Sequence, residues 1–420
     1  MLKKIGKRIG LGILISSMLF GNTVYAADDK EEKITIHLMD YFGGTDTDVS
    51  GRFLQEILEN EFEEAFPNVE LIRDSYDNVT YKRKIKVLMA ADETPDIMMS
   101  YGAGFSEAFA ESGKVLAIDE YLDDFTKEHM DMNLQENYTY DGVRYGLCYS
   151  SWVGVLYCNK ALFAQIGAEI PKTYEELVQV CKDFREAGIE PIALGMMNQW
   201  QGQQFVNEFS IQLGGADYYK QMGNGEISLD NEVLAQAAQL TADLVNEGAF
   251  YSRMNQTLSS EAEEMFLDGK AAMIYIGNWY TSDAEEALGD DLAVAKMPAV
   301  PGALETNDYY GGAVNGWLVS SKTEYPEIAV DIIEWLSYRM SCYQPENATF
   351  FIDEGDEMNE VSETAQEILD LYENKESGGI AWDTLMKSDR TTVWLDACSQ
   401  LFEGRINGKE FAELLEQQIG

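Results

Sequence analysis

FLDGKAAMIYIGNWY, residues 266–280, is the stretch on which the architecture turns. Met273-Ile274-Tyr275-Ile276 is an unbroken apolar run that reads as a buried strand, and Gly277 stops it. The strand then delivers an amide, Asn278, and two large aromatics, Trp279 and Tyr280, to its end. Core packing has a use for Trp279 but none for Asn278 beside it. A binding cleft has a use for all three.

Upstream, residues 33–39 alternate as a strand, a loop follows over 40–50, and Phe53, Leu54, Ile57, Leu58 and Phe62 share one face of a helix. Pro67 ends it. A strand over 69–72, a helix over 80–91, a strand over 96–99 and a helix over 105–112 come next. A second block opens near residue 150 with a strand over 153–157. Thr173 and Glu176 form a capping box for a helix through Ala187, closed by Gly188. A strand over 191–194 and helices over about 201–213 and 231–247 lead back to the opening stretch. Pro298 and Pro301-Gly302 mark an exposed connection. Beyond it lie a strand over 314–320, a helix from Pro326 to Tyr338 and a mostly helical last third. This alternation predicts an α/β architecture with a largely parallel sheet.

The chain has 74 acidic against 30 basic residues, a net charge of −44, which repels nucleic acid and anionic lipid. Its N-terminus has the pattern of a targeting segment: Lys3, Lys4, Lys7 and Arg8, an apolar run over 9–20, then Val24-Tyr25-Ala26. Residues 1–26 are expected to be a cleaved signal peptide. No cysteine stands at that junction to carry lipid, and no later stretch is long and apolar enough to span a membrane. The mature protein is expected outside the cytoplasm. Five cysteines without C-x-x-C spacing do not make a disulfide scaffold, a metal site or a redox centre.

Signatures of catalysis are scarce. There is no G-x-S-x-G, H-E-x-x-H or phosphate-binding G-x-x-x-x-G-K-[ST], and Gly102-Ala103-Gly104 lacks the third glycine of a dinucleotide loop. His37 and His129 stand alone. Asp46, Asp48 and Ser50 open like a calcium loop, but Ile57 occupies the place of the bidentate glutamate. Capping of the next helix by Asp48 or Ser50 is the expected role. No cofactor and no metal are expected. Aromatics and amides, by contrast, gather at strand ends: Asp40-Tyr41-Phe42, Tyr101, Trp152, Trp200, Asn278-Trp279-Tyr280 and Asn315-Gly316-Trp317. In open α/β sheets such loops converge on one crevice. Aromatic faces flanked by carboxylates and amides suit a sugar, whose C–H face packs on a ring while its hydroxyls find donors and acceptors.

Several segments resemble the extracellular solute-binding proteins of ABC importers, in the carbohydrate-binding group that includes maltose-binding protein. They are FEEAFPNVEL (62–71), ADETPDIMMS (91–100), YGLCYSSWVGVLYCNKALF (145–163), IPKTYEELV (170–178), FLDGKAAMIYIGNW (266–279) and GGAVNGWLVSSKTEYPEIAVDIIEWL (311–336). Cys158 is inserted between the tyrosine and asparagine usual in the third. The resemblance implies two α/β lobes joined by crossovers and closing over a ligand. It places the first lobe in residues 27–148 plus about 306–372, and the second in 149–305 plus about 373–420. It implies that Trp279 stacks on the ligand, that Trp152, Trp200, Asp40 to Phe42 and Tyr101 or Ser100 lie at the cleft, and that Trp394 is a late cleft aromatic, with Trp382 a further candidate. It also implies a permease partner, a monomeric receptor and no turnover. The missing lipobox departs from many Gram-positive members. A non-sugar polar solute is an alternative ligand, and a secreted glycosidase, favoured by the surplus of acids, an alternative function.

Overall fold

In the computed structural model, residues 33–43, 49–353, 356 and 358–420 are described. The signal segment and Asp46 and Asp48 lie outside the described residues. The strands are β1 (Ile34–Asp40), β2 (Val69–Ser75), β3 (Ile97–Tyr101), β4 (Thr139–Tyr140), β5 (Val143–Arg144), β6 (Gly146–Asn159), β7 (Glu190–Ile192), β8 (Ala271–Gly277), β9 (Leu292–Ala295), β10 (Tyr309–Val319) and β11 (Gly378–Gly379). Nine of them form one sheet in the order β2-β1-β3-β10-β6-β8-β7, with β11 beside β10 and β9 beside β6. Pairing is parallel toward the rims, for β1 with β2 and β3 and for β7 with β8. It is antiparallel where β10 and β6 pass between them.

Those two strands join the lobes. β10 pairs with β3 over Asn315–Val319 and with β6 over Gly311–Leu318, and β6 then pairs with β8 over Gly154–Cys158. The β10–β6 register shifts on both sides of Asn315. A shift of this kind bends the strand and swings it from one half-sheet toward the other. Gly311 permits the crossing: its φ is 144°, and a Cβ there would stand 2.1 Å from the Trp152 carbonyl oxygen.

The first lobe buries Ile36, Leu38 and Met98 of its strands against Leu54 and Ile57 of the helix Val49–Asn60 and Ile332, Ile333 and Leu336 of the helix Pro326–Tyr343. In the second lobe, Val155 and Tyr157 of β6 and Ile274 and Ile276 of β8 pack with Phe266, Ile368 and Tyr372. Ile368 belongs to the helix Glu363–Leu371, which the family resemblance groups with the first lobe. It packs in the second because its apolar face meets β9, and the following Tyr372 hydroxyl donates to Gly154 O at 2.5 Å.

The capping box forms as read, with Thr173 accepting from Glu176 N and Glu176 reaching back to Thr173 N, and Gly188 takes a φ of 75°. Two expectations are corrected. β6 runs 14 residues rather than five, because Gly146 to Trp152, Ser150 and Ser151 among them, pair with β10 and stay in the strand. Ser50 lies inside the first turn of its helix, not at the cap, and its hydroxyl donates to Gln344 Oε1 at 3.0 Å. The five cysteines are separate buried thiols.

Candidate functional site

A cavity of about 640 Å³ lies between the lobes, at the ends of β1, β3 and β8 and along the crossing strands. On the first-lobe wall the rings of Tyr41 and Tyr101 stack, with centroids 5.0 Å apart and planes 11° from parallel. Asn78 Nδ2 donates to the Tyr101 hydroxyl at 2.7 Å, and Lys82 Nζ stands 4.4 Å over the Tyr101 ring. Burial raises the Tyr101 phenol well above its ordinary range, so it remains a neutral hydroxyl.

The second-lobe wall is built on Trp279. Trp152 meets it edge-on at 5.2 Å, and Trp200 lies 6.4 Å away with its indole N–H on Ser259 Oγ. Tyr310 abuts the far edge of Trp152 at 4.9 Å. Gly277 is needed for close approach: a Cβ there would sit 1.8 Å from Cζ3 of Trp279, whose ring folds back over the glycine. Asn278 is buried, with Oδ1 accepting from Val153 N at 3.0 Å and Nδ2 donating to Asn347 Oδ1. It ties the end of β8 to β6 and to the segment after the helix Pro326–Tyr343. Tyr280 is 3% exposed and donates to Glu263 O at 2.8 Å. The opening stretch thus ends in two rings on the cavity wall, Trp279 and Tyr280, with Asn278 as the polar anchor behind them.

A Gly277→Ala protein should therefore keep its far-UV spectrum while its indole environment changes. Overpacking of this kind costs about 1–3 kcal/mol, which swinging the Trp279 ring outward would relieve. Near-UV dichroism and tryptophan fluorescence would register the shift; spectra identical to the parent would mean the ring does not depend on Gly277.

Of the residues singled out from the sequence, Tyr41, Phe42, Tyr101, Trp152, Trp200, Trp279, Tyr280 and Asn315 line the cavity. Six do not, Ser100 and Trp382 among them. Asp40 is fully buried, held by Arg73 Nε at 2.6 Å, and accepts from Phe42 N at 2.9 Å, so it fixes the loop that presents Tyr41. Asn278 is the anchor just described. Trp317 is 0% exposed and packs near Tyr149, because it pairs with Met99 inside β3, two residues further into the first lobe than Asn315 opposite the strand-end Tyr101. Trp394 is also 0% exposed and donates its indole N–H to Gln203 Oε1 at 2.6 Å.

Sequence reading missed Gln203, Gln204, Tyr310 and the Lys82–Asp383 pair, all on the cavity wall. A signal for the glutamines was present. In WQGQQFVNEFS (200–210), amides recur where a core helix would carry a purely apolar stripe, and Gln201, Gln203, Gln204 and Asn207 are all buried. The described lining carries five carboxylates and two cations. Each cation is paired across the cleft, Arg52 with Asp283 and Lys82 with Asp383, both at 3.0 Å. No group of three or more histidine, cysteine, aspartate or glutamate side chains among the described residues is placed to hold a metal ion.

The family of bacterial extracellular solute-binding proteins matches residues 44–337. An uncharacterised ABC transporter extracellular-binding protein of Pyrococcus horikoshii is 26% identical over 67% of this chain and 63% of its own length. The maltodextrin-binding protein MdxE of Bacillus subtilis is 27% identical over 66% of each. The matched region thus spans just under two thirds of these curated relatives. A solved structure from work on xylan utilisation by the thermophilic bacterium Caldanaerobius polysaccharolyticus is 30% identical, covers 92% of this chain and 100% of its own, and superposes with a TM-score of 0.84. With the family matched over well more than half its length, and with two lobes enclosing an aromatic cleft, the chain belongs to the bacterial extracellular solute-binding proteins.

Proposed function

We propose that the protein is the receptor of an ABC importer, a monomer working outside the membrane, which captures a neutral oligosaccharide between its lobes and passes it unchanged to a permease. The observation that carries this reading is the pair of aromatic walls, Tyr41 with Tyr101 and Trp152 with Trp200 and Trp279, flanking a cavity rich in amides and hydroxyls. Rings of this kind take the apolar face of a pyranose, and Asn315, Gln203 and Gln204 offer hydrogen bonds to its rim. An anionic ligand fits poorly, because the lining is net acidic and both of its cations already hold carboxylates. The names of the relatives, with maltodextrin binding in one and xylan utilisation in another, support carbohydrate as the class.

Titration calorimetry with malto- and xylo-oligosaccharides, followed by product analysis, tests this. One ligand per chain should bind and be recovered intact; steady release of shorter sugars would mean a glycosidase instead. Within that site Trp279→Ala should cost about 2 kcal/mol of binding, roughly thirtyfold in affinity. Trp279 is only partly buried, so stability without ligand should fall by less than the roughly 3–5 kcal/mol of a fully buried tryptophan. A large loss of stability with affinity intact would place its role in the core.

A further inference from the structure

The helix Trp200–Gly214 puts two adjacent amides on the cavity wall, and they are engaged differently. Gln203 has its carbonyl occupied, accepting from Trp394 Nε1 at 2.6 Å and Asp383 N at 3.3 Å. Gln204 is 2% exposed, and neither its Oε1 nor its Nε2 meets a donor or acceptor among the described residues. A buried amide without partners is costly, and a side chain there for packing alone would be better apolar. The same cavity wall carries Trp152 and Tyr310, whose rings meet edge-on at 4.9 Å.

We propose that Gln204 is a specificity-determining residue, whose carboxamide reads two adjacent free hydroxyls on the innermost sugar unit. One sugar O–H donates to Oε1, and the neighbouring hydroxyl oxygen accepts from Nε2. A carboxamide presents acceptor and donor side by side in one plane, and each hydroxyl can serve in either sense. A sugar lacking either hydroxyl leaves half of the amide buried and unpaired, which is how a polar pocket rejects a close analogue. Gln203, with its carbonyl anchored by the buried indole of Trp394, keeps only its N–H donors to offer and so lacks this two-way reading. The proposal rests on the carbohydrate reading of the cleft.

The test uses the full mature chain and its near-isosteric variant Gln204→Met, titrated with malto- and xylo-oligosaccharides and with monodeoxy analogues of whichever of them binds. The parent should prefer the natural sugar over a deoxy analogue by about tenfold or more. Gln204→Met should bind the natural sugar about tenfold more weakly or worse and lose that preference, while its melting temperature without ligand holds or rises. Gln204→Glu keeps size and acceptor but not the donor, and should lose discrimination at one hydroxyl while retaining it at the other. A lower melting temperature with unchanged affinity would make the amide structural and overturn the proposal. Equal losses for the natural sugar and every deoxy analogue would overturn it too, since no hydroxyl is then being read. Failure of the parent to bind any of these sugars would overturn the carbohydrate reading and the proposal together, whereas parent binding with an unaffected variant overturns only the latter.

Discussion

An Arg73→Met protein should be about 3–5 kcal/mol less stable than the parent, the cost of stripping the partner from a buried charge. Asp40 is fully buried at the end of β1, and Arg73, on the adjacent β2, brings Nε to 2.6 Å and Nη2 to 3.2 Å from its oxygens. Among the described residues its other contacts, from Phe42 N and the Ser75 hydroxyl, are hydrogen bonds without countercharge. Deprived of Arg73, the carboxylate is left buried without its countercharge, and the Phe42 turn it holds moves with it. Tyr41 lies between them, so its stacking on Tyr101 loosens and ligand affinity falls as well. Urea midpoints and ligand titration on the same variant measure both effects. The double variant Asp40→Asn with Arg73→Met should recover much of the loss, because the charge is gone. A single variant costing under about 1 kcal/mol would mean that the pair behaves like an exposed one.

Replacing Glu334 by Gln should stabilise the protein at alkaline pH and leave it unchanged in acid. Glu334 sits on the helix Pro326–Tyr343, 2% exposed, with Oε1 accepting from Asp123 N at 2.8 Å. Burial pushes its carboxyl up to about 8 from an ordinary value of 4.5, against the opposing pull of the Asp123 N–H. Below pH 4.5 the group is protonated folded or unfolded, and it has no effect. Between 4.5 and about 8 the unfolded chain releases a proton that the native state keeps, so this residue lowers stability progressively as pH rises. Above 8 the cost is complete, with a ceiling of roughly 5 kcal/mol. Melting temperatures from pH 4 to 9 for parent and variant should therefore diverge upward through this window. Curves that stay parallel would mean the carboxyl is ionised in the native state.

The strand–helix alternation was legible because each element carries its own period and punctuation: the Thr173 capping box, Pro326 at a helix start, Gly277 at a strand end. Eight of fourteen candidate cleft residues line the cavity because strand ends in an α/β sheet converge. The misreadings were of contacts that no local pattern encodes. Trp317 and Trp394 look like their cavity-lining counterparts in sequence, but one pairs with Met99 inside the first lobe and the Gln203 carbonyl takes the other inward. The helix Glu363–Leu371 shows its apolar face plainly, but which lobe that face meets depends on β9 and Gly154, distant in the chain. Gln204 was passed over because amides in a helix read as surface until the helix is seen to be buried.

Because β10 completes both halves of the sheet, neither lobe corresponds to one uninterrupted length of chain. During synthesis β3 emerges with a bare edge that stays bare until residues 309–319 follow, after all of β7, β8 and β9. The second lobe waits longer, since its helix Glu232–Asn246 packs against the last helix, Gly408–Ile419, with Gly408 against the Ala235 carbonyl. Chains stopped after β6 but before β10 display unpaired edges on β3 and β6 and invite pairing with one another. Such late, long-range closure makes for slow acquisition of the native state. A nascent chain of this topology has to be kept from its neighbours until its final residues arrive, and no single cut yields two halves that each fold alone.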